Sequence, residues 1–244
     1  MRHKMTNEKA VTRLGRILRK TMKVLLFGAV FVSAVLIAAH FVWKYSGSGQ
    51  WEPELDKNGI KVYSMKSPGS TLKQFRGVTQ IRATMNGIAA AMTSTTTEGC
   101  RKFDPDCTAG DVLEPWNSKD LYYVQYYRMN LKSPFSPRDL VLKTQLFQDP
   151  QSKAVSVHVT SLADRLPRNP CCLRVTHVNN TWRYTPLENG KIEVEFRGDY
   201  DFGFPYPLFN RLMPQGVYDL LSHVEKVVND EEYRRAQFAF VKEP

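Results

Sequence analysis

One long hydrophobic run stands apart from the rest of the chain. From Val24 to Trp43, 20 consecutive residues carry no charged side chain. As an α-helix this run would reach about 30 Å, the thickness of the hydrocarbon core of a bilayer. Trp43 and Tyr45 follow at the position of an interfacial aromatic belt. We therefore predict one transmembrane helix over residues 24–43.

The remainder alternates between apolar and polar positions in short stretches. The clearest is 192–200, where Ile192, Val194 and Phe196 alternate with Glu193 and Glu195. This period of two predicts a strand with one solvent-exposed face and one buried face. Turn signals separate similar stretches at 60–65, 72–83, 121–131, 141–147, 154–162, 173–178 and 181–187. We read all of them as antiparallel strands.

Two segments depart from the strand pattern. The composition of residues 86–93 favours a short helix. Val217, Leu220, Leu221 and Val224 follow the spacing of an amphipathic helix, which we expect to begin near Pro207 and to bend or restart near residue 215. Many strands followed by a terminal helix indicate an α+β fold. We assign a linker to 44–50, one domain to 51–230 and a polar tail to 231–244.

The positive charge of the chain is concentrated at its start. Residues 1–23 hold eight Lys or Arg and one Glu, a net charge of +7, whereas the remaining 26 basic and 23 acidic residues leave only +3 of the total of +10. This distribution argues against nucleic-acid binding. By the positive-inside rule it predicts a cytoplasmic basic segment over 1–23 and an exported C-terminal domain, periplasmic or extracellular. Residues 10–23 would form a basic amphipathic helix on anionic lipid.

A cleavable signal peptide is the alternative to this signal anchor. Val32, Ser33 and Ala34 make an acceptable cleavage site after a short apolar core. The apolar run continues past that site to full spanning length, so we favour a retained anchor in the inner or plasma membrane.

Export permits disulfides among the four cysteines. Cys100 and Cys107 enclose six residues and form the candidate disulfide. Vicinal disulfides are rare, so we expect Cys171 and Cys172 to be buried as small apolar side chains. The chain has no C-x-x-C pair, and we predict no metal site.

The predicted sheet and helix leave a hollow. A strongly twisted sheet of seven to nine strands tends to curl, and one helix on its concave face fills less space than a second sheet would. We therefore expect a cavity lined by the inner face of the sheet and by the apolar stripe of the helix.

Several segments resemble the steroidogenic acute regulatory-related lipid-transfer (START) domain, in its exported bacterial form. They are Trp51 with residues 59–63, then 72–77, then Ser133-Pro134-Phe135-Ser136-Pro137-Arg138-Asp139-Leu140-Val141, then 182–187 and the strand before the last helix. The resemblance implies a helix-grip fold, in which a curved antiparallel sheet surrounds a long C-terminal helix and encloses a tunnel for one lipid or sterol-like molecule.

The chain also departs from the START pattern. Phe135 stands where members usually carry Trp, and 201–205 replace an Asp-Pro-Gly-Gly turn before the final helix. Both changes lie near the mouth of the tunnel in the family, so the identity of the ligand does not transfer.

Candidate site residues follow from strand parity and from the resemblance. Arg138 meets either a ligand or an acidic partner, the alternative being a structural ion pair at a turn. Phe202 and Phe204 form a candidate portal that touches the bilayer, unless their loop is tucked onto the core. The candidate wall residues are Tyr126, Trp182, Tyr184, Phe196, Tyr200, Leu221 and Val224.

Motifs for common enzyme classes are missing. The sequence has no G-x-S-x-G, H-E-x-x-H, Walker or G-x-G-x-x-G motif. We predict a lipid-binding protein with no catalytic residues and no cofactor, whose partners are a lipid or sterol-like molecule and the membrane. The alternatives are an envelope interaction module with a filled core and a cyclase-like enzyme that uses the same cavity.

Overall fold

The structure is a computed structural model that describes residues 2–131 and 133–244, with side chains from residue 19 onward. The helices are α1 (Arg2–Tyr45), α2 (Met85–Met92), α3 (Thr97–Phe103), α4 (Tyr206–Val228) and α5 (Glu231–Arg234). The strands are β1 (Trp51–Lys57), β2 (Ile60–Met65), β3 (Gln74–Ile81), β4 (Cys107–Asn117), β5 (Tyr122–Met129), β6 (Arg138–Gln148), β7 (Val155–Ser161), β8 (Leu173–Arg174), β9 (His177–Pro186), β10 (Ile192–Gly198) and β11 (Tyr200–Asp201).

Helix α1 contains the predicted span. Arg19–Tyr45 is long and apolar enough to cross a membrane, and no residue of its most apolar 18-residue stretch is buried. It fits a single-pass membrane protein. The amphipathic helix expected over residues 10–23 lies mostly in residues 10–18, whose side chains are outside the part that the structure describes.

The strands form one curved sheet in the order β1-β2-β3-β10-β9-β7-β6-β5-β4, in which neighbours are antiparallel. The short β11 pairs with β9, and β8 pairs in parallel with β6. Helix α4 lies across β1, β2 and β3, while α2 and α3 lie nearer the other half of the sheet. This α+β architecture agrees with the predicted class.

Besides α5, which lies in the expected polar tail, β4, β1 and α3 were missed by the sequence analysis. Strand β4 has no strict alternation of buried and exposed residues, because its pairing with β5 shifts register at three points. The edge strand β1 contains Pro53 and is mostly exposed, so it lacks the pattern of a half-buried strand. Helix α3 has seven residues and its only fully buried one is Gly99.

Helix α4 presents its apolar stripe to the sheet. Phe209, Val217, Leu221 and Val224 are buried, and the helix continues through Pro214 without a break. It begins at the Pro205–Pro207 segment, as expected from the preference of proline for the first turn of a helix.

The last fourteen residues differ from the polar tail expected for 231–244. Tyr233 and Val241 are buried, and Phe238 and Phe240 pack against the core. Glu243 accepts hydrogen bonds from the backbone N–H groups of Met85 (2.9 Å) and Asn86 (3.0 Å). This C-terminal segment is therefore part of the domain and supports the start of α2.

The expected burial of Cys171 and Cys172 is wrong. The two residues form a vicinal disulfide in the loop before β8, where Cys171 is exposed and Cys172 is half-buried. The preceding residues 167–170 are exposed as well, so this loop gives a thiol no buried position.

Candidate ligand cavity

An apolar cavity of about 260 Å³ lies between the sheet and the α2–α3 segment. Its sheet wall is formed by side chains of β6, β7 and β9, chiefly Leu140, Leu142, Val157, Val159, Val178 and Trp182. Across the space lie Ala91 and Met92 at the end of α2 and Phe103 at the end of α3. The volume is just below the usual range of about 300–1,000 Å³ for small-molecule sites.

Strand alternation and register assemble the sheet wall. Successive even positions of β6 place Leu140, Leu142 and Thr144 on one face. Thr144 pairs with Val159 of β7, and Val157 pairs with Trp182 of β9. Neighbouring strands therefore present their apolar side chains to the same space.

The α2–α3 cover is held by caps and a disulfide. The hydroxyl oxygens of Thr84 and Thr96 accept hydrogen bonds from the backbone N–H groups of Gly87 (3.0 Å) and Gly99 (2.9 Å). Such N-caps satisfy backbone donors that a helix leaves unpaired. The disulfide between Cys100 and Cys107 ties α3 to the start of β4, and Cys100 lines the cavity.

Two tyrosines of β5 supply hydroxyls beside the cavity. Tyr123 donates to the carbonyl oxygen of Met92 at 2.9 Å, and Tyr127 donates to Oε1 of Gln125 at 2.6 Å. Burial raises the pKa of both phenols above the ordinary value. Both remain neutral hydroxyls, which suit an amphipathic ligand better than charges would.

Asp104 is the carboxylate among the described cavity-lining residues. It ends α3, and its Oδ1 accepts a hydrogen bond from the backbone N–H of Asp106 at 2.9 Å. Burial raises the pKa of this carboxyl, and the nearby charge of Asp106 adds to the effect. The cavity therefore has one weakly acidic group on a wall that is otherwise uncharged and mostly apolar.

The predicted wall residues are divided between the cavity and the core. Trp182 lines the cavity, and so does Phe202, which was predicted as a portal residue. Tyr184, Phe196 and Tyr200 instead pack within the core. The alternation of side chains along each strand correctly placed these three residues in the interior. It does not show whether an interior side chain borders a cavity or packs within a solid core.

Tyr126 lies on the opposite face of β5 from the cavity, which corrects its assignment as a wall residue. Tyr123 and Tyr127 are the pair that lines the space, opposite Thr144 and Leu140 of β6. Residues four apart in a strand share a face and odd separations reverse it. The sequence pattern contained both pairs and no signal that chose between them.

Leu221 and Val224 are buried under the sheet and do not line the cavity, which also corrects the expected role of the helix stripe. A Cβ added at Gly77 of β3 would lie 2.4 Å from Cδ1 of Leu221. The absence of a side chain there lets α4 approach the sheet closely and fill that half of the concave face. From α4, Leu220 reaches the cavity instead.

Arg138 supports the backbone at Phe202 and does not line the cavity. Its Nε donates to the carbonyl oxygen of Phe202 at 2.6 Å, and its Nη1 donates to the carbonyl oxygen of Ser136. Its guanidinium lies 5.0 Å from the centre of the Phe204 ring, which meets Phe135 edge to face at 4.8 Å. Arg138 thus holds the backbone next to Phe202, a cavity residue.

Several solved structures share this arrangement of curved sheet and C-terminal helix. A STAR-related lipid transfer protein from Xanthomonas axonopodis matches with a TM-score of 0.66 and 23% identity, over 75% of this chain and 100% of that one. The lipid transfer and protein localization domain of human StarD13 matches with a TM-score of 0.63 and 13% identity, over 82% and 96%. Human STARD10 matches with a TM-score of 0.62 and 11% identity, over 78% of each chain.

The chain has the fold of a START domain. Among curated proteins, an uncharacterized protein of Pseudomonas aeruginosa is 24% identical over 157 residues, which cover 64% of this chain and 75% of that protein. No protein-family model matches the chain.

Proposed function

We propose that this protein is a membrane-tethered START-fold carrier that holds one hydrophobic molecule in the cavity between its sheet and the α2–α3 segment. The observation that carries this proposal is the apolar cavity of about 260 Å³. Burial of each CH₂ group of a ligand contributes about 0.8 kcal/mol, so an apolar wall supplies affinity without many polar contacts. Its size suits one acyl chain or a compact ring system.

The proposal places the domain outside the cytoplasm. The net charge of +7 over residues 1–23 supports a cytoplasmic N-terminus, and the two disulfides support an oxidising compartment for the domain. Accessibility of an introduced cysteine before and after the span to an impermeant thiol reagent, in intact cells, measures this topology. Labelling at the N-terminal position alone would contradict it.

The carrier proposal does not include catalysis. The described cavity-lining side chains offer one carboxylate, Asp104, and no histidine beside it. An interaction module with a filled core is disfavoured by the cavity itself. Holding a molecule and passing it to a membrane or partner requires only reversible burial.

A cavity-filling substitution tests the carrier proposal. Val159 lines the cavity, so Val159→Trp should occupy the ligand's space and abolish copurifying hydrophobic ligand in native mass spectrometry of the full chain. Val112→Trp makes the same exchange on an exposed position of β4 and should leave ligand uptake unchanged. Equal ligand content in both folded variants, or a ligand-free wild type that takes up no added lipid, would refute the carrier.

A further inference from the structure

The end of helix α1 is attached to the domain by several contacts at once. Trp43 Nε1 donates to the carbonyl oxygen of Thr71 at 2.9 Å, and the Trp43 ring stacks on Tyr206 at 6.2 Å. Lys66 Nζ donates to the carbonyl oxygens of Lys44 (3.3 Å) and Ser46 (3.0 Å). The segment 44–50, expected to be a linker, therefore holds the domain in a defined orientation on the helix.

This attachment brings the start of α4 to the end of the predicted span. His40 lies three residues before Trp43, so it is about 4.5 Å deeper along the helix axis. Tyr206 contacts both rings, at 5.7 Å from His40 and 6.2 Å from Trp43. With α1 in a bilayer, the first turns of α4 lie at the level of the lipid headgroups.

A cleft of about 350 Å³ opens at this junction between α1 and α4. Trp43 and Tyr206 form its aromatic side, and Lys73, Arg211 and Glu54 supply its charges. We name this the junction cleft. Its two basic side chains and one carboxylate give a net charge of +1, which matches the single negative charge of a phosphodiester.

The basic groups of the junction cleft retain free donors. Lys73 Nζ donates to Glu54 at 2.8 Å and to Ser64 at 3.0 Å, which leaves one of its three N–H groups unused. Arg211 is exposed, and no partner for its guanidinium is found within residues 19–131 and 133–244. Arginine and lysine are the side chains that bind phosphate oxygens most strongly.

We propose that the junction cleft binds the phosphate of one phospholipid headgroup from the bilayer that α1 spans. The phosphate accepts hydrogen bonds from Arg211 and Lys73, and the neighbouring apolar side chain of Leu212 is 54% exposed. This site is separate from the interior cavity and rests on the proposed membrane tether. It would fix the tilt of the domain against the bilayer.

The test uses the full chain in detergent, carrying Val159→Trp so that the interior cavity is filled. Phosphatidylglycerol and a diacylglycerol with the same acyl chains are added separately, and bound lipid is counted by native mass spectrometry. We expect phosphatidylglycerol to be retained about tenfold better than diacylglycerol, because only it carries the phosphate. Equal retention of the two lipids would overturn the proposal.

Arg211→Gln should reduce retention of phosphatidylglycerol about tenfold. Arg234→Gln removes the same charge from an exposed position outside the junction cleft and serves as the matched control, expected to match its parent. A similar loss in both variants would show general charge attraction and overturn the site. Displacement of the lipid by millimolar inorganic phosphate would assign the cleft to a free anion instead.

The two proposals fail separately. Phosphatidylglycerol bound by Arg211→Gln but lost in Val159→Trp would place the lipid in the interior cavity, which refutes the junction cleft and supports the carrier. The opposite outcome is also possible: binding of phosphatidylglycerol depends on Arg211, but the protein takes up no hydrophobic ligand. That result would support the junction cleft and refute the carrier.

Discussion

At the scale of single residues, a buried ion pair joins β6 to β8. Arg174 Nη2 donates to Oδ2 of Asp139 at 2.7 Å, with side-chain exposures of 2% and 0%. Arg174 also donates to the carbonyl oxygens of Ala163 (2.6 Å), Leu166 (3.1 Å) and Pro167 (3.1 Å). The pair therefore connects β6 to the loop that leads into β8.

Removing one partner of this pair should be costly. Asp139→Asn leaves the Arg174 guanidinium buried without a counter-ion, which we expect to lower the free energy of unfolding by about 3–5 kcal/mol. Urea denaturation followed by circular dichroism measures it. Arg165→Gln, which breaks the exposed pair with Glu114, should cost less than about 1 kcal/mol. Comparable losses in the two variants would contradict the special role of burial.

Asp104 should give the domain a pH dependence. Because burial raises its pKa in the folded state, the folded state keeps this proton to higher pH than the unfolded chain does. Stability from this group is therefore present at low pH and decreases as pH rises from the ordinary carboxyl value through the raised one.

We expect wild type to lose stability relative to Asp104→Asn over this window, from about pH 4 upward. Urea denaturation of both proteins at several pH values measures the difference. A difference that is constant with pH, or that changes in favour of wild type, would contradict the raised pKa. Glu98→Gln, a change on the same helix outside the cavity lining, is the control.

At the scale of elements, the position of α4 decides where the cavity lies. The helix contacts β3 at Gly77, where an added Cβ would lie 2.4 Å from Leu221 Cδ1 and 2.8 Å from Val217 Cγ1. Both side chains are buried and have little room to move. The space left by the curved sheet therefore remains only at the other side, under α2 and α3.

Gly77→Ala should push α4 away from the sheet. Overpacking of this kind costs about 1–3 kcal/mol of unfolding free energy, which thermal or urea denaturation measures. Gly216→Ala provides the control within α4, because its Cβ would meet only the flexible end of Met213 at 3.3 Å and alanine favours the helix by about 1 kcal/mol. A Gly77→Ala protein as stable as wild type would show that α4 moves freely.

Elements differ in how far the sequence predicts them. The alternation in β10 and the stripe of α4 are strong periodic signals, and both elements form. Helix α4 does not restart near residue 215 as one of the two expected outcomes had it, because it continues through Pro214. The bulged β4 and the exposed edge strand β1 have weak patterns, since neither carries a regular buried face. Short α3 depends on its Thr96 cap and on its contacts with β4 more than on its own composition.

At the scale of the whole molecule, the domain and α1 behave as one connected body at the described junction. Lys66 is buried, and its ammonium binds the carbonyl oxygens at the end of α1 while lying 5.2 Å from the Trp43 ring. Gly69 N–H donates to the carbonyl oxygen of Lys44 at 2.8 Å, and Gly49 N–H donates to that of Lys66 at 3.1 Å.

Lys66→Met should loosen this junction. Because three hydrogen bonds from a charged group are lost, the amides of Gly49 and Gly69 should exchange with solvent on the order of tenfold faster or more. Hydrogen–deuterium exchange of the full chain in micelles measures this. Lys61→Met, at an exposed position of β2, should leave both amides unchanged. Unchanged exchange in Lys66→Met would mean that the aromatic contacts alone hold the junction.

The sequence by itself determined the features that depend on periodicity and on long uniform runs. These are the apolar span, the alternating strands and the amphipathic final helix, because local hydrophobic patterning dictates which faces are buried. The START-like plan came instead from the resemblance of particular segments, such as residues 133–141, to that family. Only the tertiary structure decided which buried residues line a space and which fill one. The register of β5 places Tyr123, rather than Tyr126, at the cavity. The close approach of α4 at Gly77 buries Leu221 against the sheet, so Leu220 lines the cavity instead.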